Sequence, residues 1–190
     1  MPKFSYYHCN SIFFITFIFF IHRGGGKINA QISRNVYGIN IGTTTANAKQ
    51  VLINKGLDVS TKKTDSGYAV LTESVSFGGI LWDKCIVSAS NDNKVYEIGF
   101  VYFSYDYESL AKKALTLLDN LTTKYKEYGY ASDSEDLSDG GISIFQSFND
   151  EKTIISMTAE IHQYAQSSIV LCYMDKAAFD KKQNSEISDL

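Results

Sequence analysis

"KVYEIGFVYFSYDYESLAKKALTLLDNLTTKYKEY", residues 94–128, contains two periods in succession. In its first part Tyr96, Ile98, Phe100 and Tyr102 fall at every second position, the period of a strand. Val95, Val101 and Phe103 take the other face, so the strand is expected to be central or covered on both sides. From Tyr107 the step changes to three and four: Leu110, Ala114, Leu117, Leu118, Leu121, Tyr125 and Tyr128 form one stripe. Lys112, Lys113, Asp119, Thr123 and Lys126 occupy the remaining sides, and Asp106 or Ser104 can cap the first turn. The spacing predicts a helix over 107–128, with Leu117 and Leu121 buried against a sheet.

Upstream, "IGTTTANAKQVLINKG" (41–56) reads as a shorter helix. Thr43 or Thr44 can cap it, Ala48, Val51 and Leu52 form its apolar stripe, and Gly56 stops it. Four strands are predicted next: "LDVSTKK" (57–63), "YAVLTESVSF" (68–77), "LWDKCIVSAS" (81–90) and the strand 94–104. The turns between them are "DSG", Gly78-Gly79 and "NDN". Downstream of the long helix, "GYASDSEDLSDGG" (129–141) reads as a polar loop. Three strands follow, "ISIFQSFN" (142–149), "KTIISMTAEIHQ" (152–163) and "SSIVLCYMDK" (167–176). Strands joined by tight turns are antiparallel, and two amphipathic helices can cover one face of their sheet. The expectation is an α+β fold: an antiparallel sheet of about seven strands in the order helix, four strands, helix, three strands. Both halves read as a helix followed by a meander, although their residues do not align.

Ahead of this domain lies "IFFITFIFFI" (12–21), followed by "HRGGGKINAQ". Ten helical residues reach about 15 Å, half of the roughly 30 Å of a bilayer core. The run fits the apolar region of a secretory signal, with Lys3 before it and Ala30 as the small residue for cleavage ahead of Gln31. Ile28, Arg23 and Lys27 do not fit that pattern, so a buried N-terminal element and an uncleaved anchor remain as alternatives. Cys9 precedes the apolar run, the wrong side for lipidation. The expected organisation is a signal over 1–30, one domain over 31–180 and a polar tail over 181–190. The processed chain would then be extracytoplasmic, periplasmic or secreted, and would have no stable membrane span.

Residues 31–190 contain 15 Lys and Arg against 21 Asp and Glu, a balance of −6, with Arg34 as the single arginine. Such a chain offers no basic patch for phosphates, which excludes a nucleic-acid binder. Residues 31–190 also hold two cysteines, Cys85 and Cys172, and one histidine, His162. Cys–His or Ser–His–Asp catalysis therefore depends on one imidazole, and no G-x-S-x-G elbow is present. Secretion would allow Cys85 and Cys172 to form a disulfide; their apolar neighbours favour two buried, unbridged thiols instead. Asp133, Glu135, Asp136 and Asp139 in 132–139 are oxygen-rich, but Leu137 falls where a calcium loop needs a ligand, and a solvated connector is expected. Glu73, Asp83, Glu97 and Glu160 are strand acids that would serve glycoside hydrolysis only if paired across a cleft. No residue is assigned to catalysis, to a metal or to a cofactor. Tyr102, Phe103, Tyr105 and Tyr107, at the strand-to-helix corner, form the candidate binding surface; the alternative is that they seal the core.

"INIGTTTANAKQVLINKG", through Gly42, Thr43, Val51, Leu52 and Gly56, resembles the opening helix of small envelope proteins, namely the SmpA/OmlA outer-membrane assembly lipoproteins and β-lactamase-inhibitor-protein-like modules. The chain lacks their lipidated cysteine and has a long second helix with further strands. With its Ala-Gln junction it also resembles uncharacterised secreted proteins of Bacteroidetes-type bacteria. The resemblance implies an envelope binding role and carries over no catalytic residue. The expected function is a secreted or periplasmic, non-enzymatic module that binds an envelope protein. The alternatives are a small-ligand or glycan binder with a pocket between helix and sheet, and a hydrolase of unfamiliar type.

Overall fold

The computed structural model describes residues 31–181; the expected signal over 1–30 and all but the first residue of the expected tail lie outside them. The chain opens with a hairpin, β1 (Asn35–Val36) and β2 (Ile39–Asn40), followed by α1 (Thr45–Asn54). Then come β3 (Ser60–Thr64), β4 (Gly67–Phe77), β5 (Ile80–Ser90) and β6 (Val95–Ser104). After α2 (Tyr107–Tyr125) follow β7 (Gly129–Asp136), β8 (Ile142–Asn149), β9 (Thr153–Ile161) and β10 (Ser167–Asp175). A short helix, α3, spans 176–181.

The α+β class and the large antiparallel sheet agree with the sequence reading, while the strand count and order are corrected. The sheet has eight strands in the order β3-β4-β5-β6-β10-β9-β8-β7. The polar stretch 129–136, expected to be a loop, is the edge strand β7, paired along its whole length from Gly129↔Asn149 to Asp136↔Ile142. Each half is thus a helix followed by a four-stranded meander, and the two meanders join at β6 and β10. The hairpin β1–β2 was not foreseen either.

The turns follow from their residues. Gly78 and Gly79 sit at φ 61° and 77° between the paired Phe77 and Ile80, the two-residue turn in which both positions need positive φ. Gly67 leaves no room for a side chain, since a Cβ would lie 2.1 Å from the carbonyl oxygen of Ala89. Thr44 caps α1 by accepting from the Asn47 N–H, and Asp106 caps α2 by accepting from the Ser109 N–H. Of the alternatives read from sequence, the structure uses Thr44 and Asp106.

Both helices lie on one face. Ala48 and Leu52 of α1, together with Leu110, Ala114, Leu117, Leu121 and Tyr125 of α2, belong to one hydrophobic cluster. The same cluster contains Val70, Val87, Ile98, Phe100, Leu171, Ile155 and Met157 of the sheet. It therefore runs through both halves. At one end it is closed by aromatic rings: Phe77 stacks on Phe100 at 4.4 Å, and Trp82 donates its Nε1–H to the Phe77 carbonyl at 2.9 Å. The segment before α1 is a strap along the core. Ile32, Val36, Ile39 and Ile41 are buried, the Ile32 N–H donates to Asp150 at 2.6 Å, and Arg34 reaches Asp175 at 2.6 Å and the Lys152 carbonyl at 2.7 Å.

Candidate binding surfaces

Side chains alternate between faces along a strand, so the pairing register identifies the residues opposite the helices. One row across the sheet is Leu71, Ile86, Gly99, Cys172, Ser156, Ser147 and Ala131. The next is Glu73, Lys84, Val101, Val170, Thr158, Phe145 and Asp133. Phe103 and Met174 belong to the rows on either side. Val101 and Cys172 are buried but lie outside the helix-side cluster. Neither α1 nor α2 lies over these rows, since both pack on the other face, and Leu71, Ile86, Phe103, Phe145, Val170 and Met174 stay half-buried. The strand 94–104 is thus central, as read, and neither α1 nor α2 covers its second face.

The size of this open face follows from sheet geometry. Eight strands at about 4.8 Å and about eight residues per strand at about 3.4 Å give roughly 34 by 27 Å, on the order of 900 Å². A standard protein interface takes about 800 Å² from each partner.

The four aromatic residues of the strand-to-helix corner do not form one surface. Tyr102 belongs to the helix side, where it packs against the core with the Lys113 ammonium 4.6 Å from its ring centroid. Phe103 projects to the open face, with Lys84 at 5.8 Å. Tyr105 is 80% exposed and Tyr107 41%. These last two have company that the sequence reading missed. Leu81 in the β4–β5 hairpin and Tyr164 in the β9–β10 turn are 64% and 83% exposed at the same end of the sheet. The signal for this was weak, because the three segments are far apart in sequence and meet only through the strand order.

The groups weighed for catalysis remain separate. The Ser167 hydroxyl accepts from the backbone N–H of His162 at 2.8 Å, while the imidazole Nδ1 lies 3.0 Å from Asp139. Asp139 is held below the usual carboxylate range, first by the Gly141 N–H, with His162 adding to this and desolvation opposing it. Cys172 pairs with Ser156, six positions along β9 from His162, which is about 20 Å along a strand. Cys85 is fully buried on the helix side, where burial pushes its thiol up to about 12. Cys85 pairs with Phe100, whereas Cys172 pairs with Gly99, so the two thiols project to opposite faces and neither is in a disulfide. Asp133 and Glu135 share one face of β7 and Asp136 takes the other. No group of three or more His, Cys, Asp or Glu converges on a metal site among the described residues. The core side of α2 is occupied by Leu110, Ala114, Leu117 and Leu121, all buried.

Comparison with protein-family models, curated proteins and solved structures returns no match for this chain.

Proposed function

We propose that this chain is a secreted or periplasmic binding module, without catalytic activity, that takes a protein partner on the open face of its sheet. One observation carries the reading: both helices cover one face, and the other presents a half-buried apolar field across the central strands. The field runs from Leu71 and Ile86 through Val170 to Phe145, and the whole sheet face that holds it is of the size a protein interface needs. Apolar side chains gathered on one face and rimmed by polar residues mark an interaction site. Tyr105, Tyr107 and Tyr164 at one end add the residue type most used as an anchor at interfaces. The extracytoplasmic setting rests on the apolar run at 12–21 and on the resemblance of 39–56 to envelope proteins. A small-ligand pocket between α2 and the sheet has no comparable support, because the side chains of α2 fill that space.

The test compares proteins captured from an envelope extract by the wild-type chain, by Val170→Lys on the open face, and by Leu115→Lys on the exposed side of α2. The expected result is a partner held by wild type and by Leu115→Lys and lost with Val170→Lys. A capture set unchanged by Val170→Lys sinks the proposal.

A further inference from the structure

The most exposed large hydrophobic side chains among the described residues are Tyr164, Tyr105 and Leu81, and all three stand at one end of the sheet. The pairing register brings them there. Ser104 at the end of β6 pairs with Ser167, so Tyr105 follows this pair directly and Tyr164 precedes it by three residues. Leu81 lies three residues beyond the pair Lys84↔Val101 on β5, as Ser104 does on β6. The strands β5, β6 and β10 are successive in the sheet, so the strand ends that carry these side chains span about 10 Å across it. Tyr107, in the first turn of α2, adds a fourth exposed apolar side chain. The core beneath is already closed by Phe77, Phe100 and Trp82.

The same end is acidic. Asp83, Asp106 and Glu108 are exposed around the β6–α2 corner, and Asp139 and Glu160 are half-buried beside the β9–β10 turn. Asp83 and Asp106 accept from the backbone N–H groups of Phe103 and Ser109, which fixes both carboxylates at the corner. Asp139, held below the usual carboxylate range, keeps its charge at neutral pH. The bases of this end lie against other groups of the chain. Lys84 and Lys113 sit by the rings of Phe103 and Tyr102, and His162 lies between Asp139 and Glu160. Lys112 stands further along α2.

We infer that this end of the sheet seats a basic segment of a protein partner, with Lys or Arg side chains over the rings of Tyr105 and Tyr164 and an apolar side chain against Leu81. The inference rests on the reading of this chain as a binder of protein, and it names the chemistry of one part of what is bound. A cation over a tyrosine ring is attracted by the ring's negative face. The carboxylates of Asp83, Asp106 and Glu108 beside the rings add to that attraction and repel an acidic segment. A neutral sugar would also stack on the rings, but it gains nothing from the charge around them. Rigid aromatic anchors from separate loops, rimmed by charge of one sign, suit an extended cationic chain that crosses all of them.

The experiment is fluorescence anisotropy with the full-length protein and a labelled peptide of Arg, Lys, Leu and Gly. A length of about twelve residues, roughly 40 Å when extended, is enough to cross this end. The same peptide with Glu in place of Arg and Lys, and a neutral gluco-oligosaccharide, are the competing probes. Wild type is expected to bind the basic peptide at least about ten-fold more tightly than either. Tyr105→Ser with Tyr164→Ser changes no charge and is expected to weaken binding at least about five-fold. Glu108→Lys is expected to weaken it as well, whereas Glu151→Lys, the same change of charge in the β8–β9 turn at the opposite end, is expected to leave it unchanged. Val170→Lys on the open face is also expected to leave it unchanged, so failure of the open-face reading and failure of this one give different results. Circular dichroism checks folding, and the single change Tyr164→Ser replaces the double variant if that does not fold. No binding of the basic peptide, equal weakening by Glu108→Lys and Glu151→Lys, or binding indifferent to the tyrosines overturns the inference. Loss of the peptide with Val170→Lys, or tighter binding of the oligosaccharide, overturns it too.

Discussion

Phe100 and Val101 are neighbours on β6, and they separate the two faces of the sheet. Phe100 is fully buried under rings from Tyr37, Phe77 and Trp82. Val101 belongs to a row of valine, threonine, phenylalanine and charged residues that neither α1 nor α2 covers. The helix face is filled with large side chains from six sources: the strap, both helices, both meanders and the β4–β5 tip. The open face has Gly99, Cys172, Ser156 and Ser147 along its midline, small groups that leave the sheet shallow there. Packing therefore accounts for the first face, and the proposed recognition falls to the second.

The largest difference should appear in stability. Phe100→Ala is expected to cost about 3–5 kcal/mol and Leu121→Ala about 2–5 kcal/mol, from lost burial and the cavity left behind. Val170→Thr on the open face should cost under about 0.5 kcal/mol, as surface changes do. Denaturant midpoints measure all three. Equal losses on the two faces would break the comparison, because they would mean that the open face is also packed.

A smaller effect concerns the strap that crosses the end of the helix face. Asp175 is held below the usual carboxylate range: burial pushes against this, and the bonds from Arg34 and from the Ala178 N–H, with the Arg34 charge, outweigh it. Its native form therefore binds a proton less readily than the unfolded chain. The stability it supplies is present above the ordinary carboxylate pKa of about 4 and is lost as pH falls through the lower native value. Asp175→Asn should remove part of the loss seen on acidifying from about pH 5 to about pH 2. Unfolding curves with the same acid dependence in both proteins would show that the Arg34 contact adds nothing.

The smallest effect leaves the fold unchanged and reads the two faces through their thiols. Cys85 is 0% exposed on the helix side, and Cys172 is 6% exposed on the open face. In native protein Cys172 is expected to take up an alkylating reagent at least about ten times faster than Cys85, whose thiol is seldom ionised. A bound partner should slow Cys172 alone. Equal native rates would mean that the chain opens globally before either thiol reacts.

What the sequence revealed depended on contrast between faces. The strands β4, β5, β6, β8, β9 and β10 alternate or run apolar between tight turns, and α2 has a wide stripe, so all were legible. β7 was not, because an exposed edge strand needs no apolar side chains; backbone pairing with β8 holds it, and "YASDSED" reads as a loop. The strands β1 and β2 have two residues each, too few for any period, and they turn through Tyr37 at φ 56° with Gly38 at 85°. Nor can local pattern show that β10 lies beside β6. For that reason the candidate site was only partly legible. Alternation already put Tyr102 and Phe103 on opposite faces of their strand, but the placing of Tyr105, Leu81 and Tyr164 at one end of the sheet follows from strand order alone.

The strap also has a consequence in time. A ribosome delivers Ile32 and Arg34 long before their partners: the bonds to Asp150 and Lys152 span 118 positions, and the ion pair with Asp175 spans 141. Contacts of such separation close late, after the entropy of the intervening loop has been met. The first meander can form its hairpins as it emerges, while Ile32 and Arg34 wait for Asp150, Lys152 and Asp175. Arrival of the last strand, rather than of any one hairpin, thus sets the moment at which Ile32 and Arg34 find their full set of partners.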